Sequence, residues 1–223
     1  QPLLLSYRIN RFRIFLWVSH ISIMESIINN PVGSHTVFFI KEHQYITHSL
    51  NQLITRIIFY CLLHANKENN AHILIHNSHL DIWKISKEAL YQVAKKNTPK
   101  LLPHQLMPLT EVLLQSHYIC DEDIDKNDPQ IYILTNNYRT NGATALLYEK
   151  LLSQIADSFE KDLLILPSSI HEVLILPIDS ISKSTLDHYG TFIREINETQ
   201  LADDEVLSDH AYYFQRATQM ISY

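Results

Sequence analysis

Hydrophobic residues fall into short runs that alternate with polar, turn-forming stretches. Residues 55–64 (TRIIFYCLLH) and 71–76 (AHILIH) are rich in β-branched and aromatic residues and flank the polar segment ANKENN. Two such runs around a polar loop are typical of a β-hairpin, although a short apolar run such as 55–64 is also compatible with a buried helix. We predict a hairpin with a six-residue loop.

Further strands are predicted in the second half of the chain. Residues 131–135 (IYILT) precede a turn-rich stretch, in which the Asn-Gly pair at 141–142 tolerates positive φ. Two continuous apolar runs, 163–166 and 172–176, are separated by a short polar segment and predict two adjacent buried strands. The segment HAYYFQR (210–216) is compatible with an edge strand.

Four segments carry helical signals, namely residues 86–96, 106–117, 145–159 and 184–197. Ser86 is placed to cap the first of them, and Ser184 with Asp187 forms a plausible capping box for the last. Pro99 should end the first helix, because the residue before a proline avoids the helical region. Hairpins outnumber βαβ units, so the predicted fold class is α+β, a mostly antiparallel sheet of hairpins with three to four packing helices.

The chain reads as one body with an unusual beginning. It contains no Gly/Ser linker and no internal repeat. Residues 12–24 are apolar, but the run is too short to span a membrane and is not followed by a signal-peptidase site. We interpret residues 1–50 as a divergent N-terminal segment that is partial or non-native, with Met24 as an alternative start, and residues 51–223 as a single α+β domain.

Charge is distributed unevenly along the sequence. Residues 1–120 carry 11 Lys and Arg against 6 Asp and Glu, whereas residues 121–223 carry 7 against 18. The acidic second half disfavours nucleic acid, because phosphates carry the same sign of charge. A solvated acidic surface is the simpler interpretation, and a surface for a partner is the alternative. The two cysteines show no CxxC spacing, which fits a reducing cytoplasm.

Cofactor and metal motifs are not supported. The three glycines are isolated, so neither a Walker loop nor a Rossmann fingerprint can form. Asp121, Asp123 and Asp125 match the first ligands of a calcium loop, but Lys126 and Tyr132 stand where glycine and a bidentate glutamate are needed. The thirteen histidines do not combine with cysteine or carboxylate into a zinc-binding set. We therefore predict no cofactor and no metal.

The segment PSSIHE, residues 167–172, is the most suggestive chemically. It presents Ser168, Ser169, His171 and Glu172 between two predicted buried strands. With Asp209 or Glu172 orienting the histidine, these residues would resemble a serine hydrolase triad. However, neighbouring residues on a strand point to opposite faces, and no GxSxG elbow exposes a serine. A polar binding surface is therefore the preferred interpretation, because ligand contacts gather on loops beside a rigid sheet.

Candidate binding residues lie in three turns. They are Asn136, Asn141, Ser168, Ser169, His171, Asn197 and Glu198. Each asparagine is equally suited to capping a turn. The leading hypothesis is a non-enzymatic cytoplasmic binding domain for an unknown protein or small molecule. The alternatives are the serine hydrolase or peptidase and an accessory protein with an acidic partner-binding surface.

Four blocks, in this order, carry a family resemblance. They are residues 77–103 (NSHLDIWKISKEALYQVAKKNTPKLLP), 131–148 (IYILTNNYRTNGATALLY), 162–177 (DLLILPSSIHEVLILP) and 196–214 (INETQLADDEVLSDHAYYF). The chain resembles a domain-of-unknown-function family from gut Gram-positive bacteria, over about Ile57 to Arg216. It is similar, more distantly, to a second family of unknown function. The resemblance implies a cytoplasmic protein and carries over no catalytic residues, and residues 1–50 depart from it.

Overall fold

A computed structural model describes residues 36–40, 57–66, 69–118, 120, 129–202 and 205–223, with side chains from residue 74 onward. The chain divides into two compact units, residues 1–37 with 59–97 and residues 38–58 with 98–223. Each unit is treated by itself below. The calcium-like run and the predicted loop at 121–128 lie outside the described residues.

The predicted hairpin is confirmed, with a shorter loop. Strands β2 (Ile57–Asn66) and β3 (Asn69–Leu74) pair antiparallel, and β1 (Thr36–Ile40) completes a three-stranded sheet in the order β1-β2-β3. The loop prediction was wrong because pairing continues to Asn66 and Asn69, which leaves residues 67–68 between the strands.

A short helix that the sequence pattern did not predict follows β3. Helix α1 spans Asn77–Trp83, and His76 is its N-cap residue instead of the end of a strand. The His76 amide donates to Nδ1 of His79 at 3.1 Å, so an imidazole satisfies a free N–H at the start of the helix. This use of histidine as a cap is outside the usual Ser, Thr, Asp and Asn preference, which explains why the helix was missed.

Helix α2 (Lys87–Leu101) begins as predicted and ends later. The Ala89 amide donates to Ser86 Oγ at 3.1 Å, which confirms the predicted cap. The predicted end before Pro99 was wrong, and the Leu102 amide still bonds to the Thr98 carbonyl at 2.8 Å. Proline removes one helical hydrogen bond, while Thr98 and Leu102, on either side of Pro99, are buried at 0% and 4% exposure.

The second unit contains a six-stranded antiparallel sheet in the order β4-β5-β7-β6-β8-β9. Its strands are β4 (His104–Pro108), β5 (Tyr132–Asn136), β6 (Asp162–Pro167), β7 (Val173–Ile178), β8 (Tyr212–Gln215) and β9 (Met220–Ser222). Together with the helices this confirms the α+β class.

Strand β4 corrects the predicted helix at 106–117. Leu106 and Met107 pair with Leu134 and Ile133 of β5, and helix α3 (Leu109–Gln115) begins only after Pro108. A nonlocal strand partner therefore outweighed the local helical pattern, which the sequence pattern alone could not show.

The predicted helix at 145–159 is broken into two. A 3₁₀-helix spans Gly142–Leu147 and helix α4 spans Leu151–Phe159, with Lys150 in the left-handed region between them at φ 62°. One core still receives the four apolar residues of the predicted face, Leu147, Leu151, Ile155 and Phe159. The apolar face was therefore predicted correctly, whereas a single continuous helix was not.

The sheet is covered on both faces, which explains why β6 reads as a continuous apolar run. Leu163 and Ile165 face the core formed with the 3₁₀-helix and α4. Leu164 and Leu166 face the core formed with helix α5 (Lys183–Gln200). The predicted cap of α5 was displaced by two residues, since the Thr185 amide donates to Ser182 Oγ at 3.1 Å.

Strand β8 is internal to the sheet, which corrects the predicted edge strand at 210–216. Strand β8 pairs with β6 on one side and β9 on the other. Strand β9 has only three residues and was too short to give a pattern. Its presence moves the edge of the sheet from β8 to β9.

Three tyrosines of the second unit should make its fold sensitive to alkali. Burial raises the pKa of Tyr148 and of Tyr212. Burial, and then the hydrogen bond from its hydroxyl to Asp162, raises the pKa of Tyr213 to about 12. Since these pKa values are higher in the folded state, the stabilisation is complete below the ordinary tyrosine pKa of about 10 and is lost as the pH rises through the folded values.

We therefore expect alkaline unfolding in which the last part of the rise in tyrosinate absorbance, that of the buried tyrosines, coincides with the loss of far-ultraviolet circular dichroism. Ionisation of all the tyrosines with the dichroism intact would contradict this expectation.

Candidate functional site

The chemically suggestive segment forms a tight turn between β6 and β7, called here the PSSIHE turn (residues 167–172). The His171 amide donates to Ser169 Oγ at 3.0 Å, and the Ser169 amide donates to the Glu172 carbonyl at 3.1 Å. Ser169 is buried, whereas Ser168 and Glu172 are half-buried. The serine hydroxyl therefore serves first as an acceptor within its own turn.

A second turn, called here the asparagine turn (residues 136–141), ends β5 beside it. The Asn136 side chain donates to the Thr140 carbonyl at 2.8 Å and accepts from the Tyr138 amide at 2.9 Å. Arg139 and Asn141 both have positive φ, at 54° and 51°. Asn136 is only 1% exposed, so its amide organises the turn from inside.

The two turns are joined through the first residues of the 3₁₀-helix. Thr135 Oγ1 donates to the His171 carbonyl at 2.8 Å, and the Ala143 amide donates to the Ile170 carbonyl at 3.2 Å. Gly142 lies at this junction without positive φ. The prediction that Asn141-Gly142 supplies positive φ is thus confirmed for Asn141, while Gly142 is needed for close approach.

The His171 ring bridges the asparagine turn and a third segment. Its Nδ1 accepts from the Asn141 amide at 3.0 Å, and its Nε2 lies 3.7 Å from Oε1 of Glu205. The two side chains are 36% and 43% exposed. The ring is therefore held on both sides while part of it faces solvent.

The third segment, called here the Glu205 loop (residues 205–209), follows α5. The Ile170 amide donates to the Glu205 carbonyl at 2.9 Å. At the other end of the loop, Asn197 Nδ2 donates to the Ser208 carbonyl at 3.0 Å and to Asp209 Oδ1 at 2.9 Å. The loop is fastened to the PSSIHE turn at one end and to α5 at the other.

The predicted site residues therefore separate into two groups. Asn136, Asn141, Ser169 and His171 come together at the junction of the two turns, with Ser168 and Glu172 on the same PSSIHE turn. Asn197 and Asp209 pair at the far end of the Glu205 loop, and Glu198 is exposed on α5. Asn197 is 8% exposed and directed inward, in a supporting position.

Glu205 is a residue of the site that sequence reasoning missed. It belongs to the acidic run Asp203-Asp204-Glu205, which contributes to the negative charge of the second half of the sequence. Its carbonyl and carboxylate both meet the PSSIHE turn more than thirty residues away in sequence. Glu205 lies in the fourth block of the family resemblance. However, no neighbouring residue in the sequence indicated that Glu205 contacts the PSSIHE turn.

Comparison with protein families identifies the chain. A family model described as a family of unknown function (DUF5688) matches residues 53–216. The chain belongs to this family. Neither the curated proteins nor the solved structures include a match.

The DUF5688 match agrees with the extent of the resemblance seen in the sequence, and it contains every residue of the candidate site. The bacterial source suggested by the resemblance stays a prediction. Because the DUF5688 description assigns no activity, no catalytic residue is transferred. Among the described residues of this DUF5688 chain, no helix is long and apolar enough to cross a membrane.

The site geometry of the DUF5688 chain bears on the hydrolase hypothesis. A triad histidine must offer an unprotonated ring nitrogen to the serine hydroxyl while its N–H faces a carboxylate. In His171 the acceptor nitrogen is Nδ1, and it receives the Asn141 amide. The neutral ring then carries its proton on Nε2, which faces Glu205. Each ring nitrogen thus faces a partner other than a serine hydroxyl.

Proposed function

We propose that this DUF5688 chain is a non-enzymatic cytoplasmic binding domain, and that it recognises a protein or small molecule at the half-exposed pair His171 and Glu205. The observation that carries the proposal is that three separate segments hold this pair through main-chain and side-chain hydrogen bonds. A polar pair positioned in this way is suited to recognition, since little conformational freedom has to be lost on binding.

The supports beneath the pair are buried. Thr135 and Ser169 are 0% and 7% exposed, and each makes a hydrogen bond within the junction of the two turns. A binding site keeps its geometry when residues behind the contact surface are themselves fixed by packing and hydrogen bonds. The arrangement therefore favours a preformed surface.

The proposal assigns different roles to the candidate residues. His171, Glu205, Asn141 and Ser168 are the contact residues, because each retains solvent exposure beside the turns. The buried set Asn136, Ser169 and Asn197 supports them. Glu198 extends the polar surface on α5. We propose further that residues 51–223 act as a single α+β domain, with 1–50 as a divergent segment.

Affinity capture tests this function. The wild-type chain should recover a stoichiometric protein or ligand from a lysate of its source organism. Glu205→Ala and His171→Ala should each reduce recovery at least about tenfold, the effect of losing roughly 1.4 kcal/mol of binding free energy. Glu195→Ala, at an exposed site of α5, is the matched control and should bind like the wild type.

The other outcomes identify the competing hypotheses. Recovery that falls with salt but is insensitive to both variants would favour the acidic partner-binding surface. Labelling of Ser168 or Ser169 by a fluorophosphonate probe, with loss of labelling in His171→Ala, would establish the hydrolase instead. Recovery of the chain alone under all conditions contradicts a binding function.

A further inference from the structure

The two partners of the His171 ring respond differently to its protonation. Nδ1 accepts the Asn141 amide at 3.0 Å, which requires a lone pair on that nitrogen and hence a neutral ring. Nε2 faces the Glu205 carboxylate at 3.7 Å, an arrangement that becomes an ion pair only when the ring is protonated. The neutral ring with its proton on Nε2 meets both partners, whereas the protonated ring has no lone pair left for the Asn141 amide.

We propose that His171 is a pH-sensitive latch, which closes the asparagine turn when the ring is neutral and releases it for a stronger pairing with Glu205 when the ring is protonated. Protonation places a hydrogen on Nδ1 opposite the hydrogen of the Asn141 amide, so this hydrogen bond is lost. The same proton makes the ring a cation beside Glu205.

The charged surroundings of the ring fit this exchange of partners. From the Glu205 loop, the facing titratable group is Glu205, while Asp209 is held by α5. On the PSSIHE turn, Glu172 adjoins the ring in sequence and is half-buried. From the asparagine turn, the Arg139 guanidinium is directed to a methionine sulfur at 3.6 Å. Within the described residues, the recorded charge contact of the ring is thus with a carboxylate.

Release of the latch acts on strained backbone. Asn141 has φ 51° and Arg139 has φ 54°; asparagine tolerates this left-handed region, whereas arginine seldom adopts it unless its surroundings hold it there. Loss of the Asn141 hydrogen bond removes one such restraint. The asparagine turn should therefore become mobile at acid pH, while the buried Asn136 keeps its first residues in place.

The idea that the latch regulates the recognition surface rests on the proposed function. The rearrangement itself is measured on the free chain by NMR, so its failure and the failure of partner capture are distinct results. Ring nitrogen chemical shifts should show the Nε2–H tautomer at neutral pH. On acidification, protonation of His171 should coincide with a shift of the Asn141 amide and a fivefold to tenfold loss of its exchange protection after correction for intrinsic rates, about one hydrogen bond.

Two variants and a control variant complete the test. His171→Asn keeps an acceptor near the Nδ1 position and cannot titrate, so the Asn141 amide should remain protected at all pH values. Glu205→Gln removes the ion-pair partner but leaves Nδ1 open to protonation, so the loss of protection of the Asn141 amide on His171 protonation should persist. His188→Asn, on exposed α5, controls for loss of a surface histidine and should behave as wild type. An Asn141 amide that is unaffected by His171 protonation, or that responds equally in His171→Asn, would overturn the latch.

Discussion

Gly142→Ala should destabilise the second unit by about 3 kcal/mol or more, the upper range for overpacking. A β-carbon at this position would lie 2.0 Å from Thr135 Oγ1, 2.5 Å from the His171 carbonyl oxygen and 2.7 Å from the Asn136 amide nitrogen. Two of these atoms belong to backbone that is already hydrogen-bonded in the junction of the two turns. The junction must therefore open to accept a single methyl group.

The other described glycine provides a matched control. A β-carbon on Gly190, inside α5, would meet its nearest atoms at 3.8–3.9 Å, which is ordinary contact. Gly190→Ala should be neutral or stabilise by about 0.5–1 kcal/mol, because alanine is the better helix former. Urea denaturation of both variants measures the difference. Equal stabilities for the two alanine variants would show that the close approach at Gly142 is not structurally required.

Asn136→Asp should destabilise the fold by about 3 kcal/mol at neutral pH, since it leaves a buried charge without a partner. The carboxylate could still accept the Tyr138 amide, but it would face the Thr140 carbonyl oxygen, to which the asparagine now donates. Because the side chain at this position is only 1% exposed, water cannot solvate the new carboxylate and so offset the cost of burying its charge.

The pH dependence of this variant distinguishes charge from shape. Burial raises the pKa of an introduced carboxyl, so the penalty is greatest above the folded pKa and shrinks as the pH falls through it. The protonated carboxyl can donate to Thr140, and most of the lost stability should return at acid pH relative to wild type. Asn77→Asp, the same change at an exposed position, should stay within about 0.5 kcal/mol at both pH values. A penalty for Asn136→Asp that is independent of pH would contradict the charge explanation.

Local patterns predicted the elements whose stability is local. The β6–β7 hairpin and the Ser86 cap followed from short-range chemistry. Errors arose where a distant partner decided the outcome. Leu106 has a helical neighbourhood and yet pairs with Leu134, and this pairing could not be foreseen from the residues around Leu106.

The contacts of the candidate site likewise include local ones, which could be predicted, and distant ones, which could not. Ser169 and His171 were selected correctly as neighbours in a turn because they lie within one short segment. The contact of His171 with the Asn141 amide spans 30 residues, and the contact with Glu205 spans a longer stretch. A single sequence contains no signal for such pairs, since their proximity is created by the sheet that lies between them.

The position of β8 inside the sheet has a consequence for biosynthesis. Strand β6 receives its second neighbour only from residues 212–215, which leave the ribosome after every other strand of this sheet except β9. Until then the nascent chain presents an open leucine-rich edge, and the side chains of Leu163 and Ile165 lack the covering of Tyr212 and Phe214. Open edges of this kind template pairing with other chains. Premature termination just before residue 212 should therefore produce aggregation-prone chains.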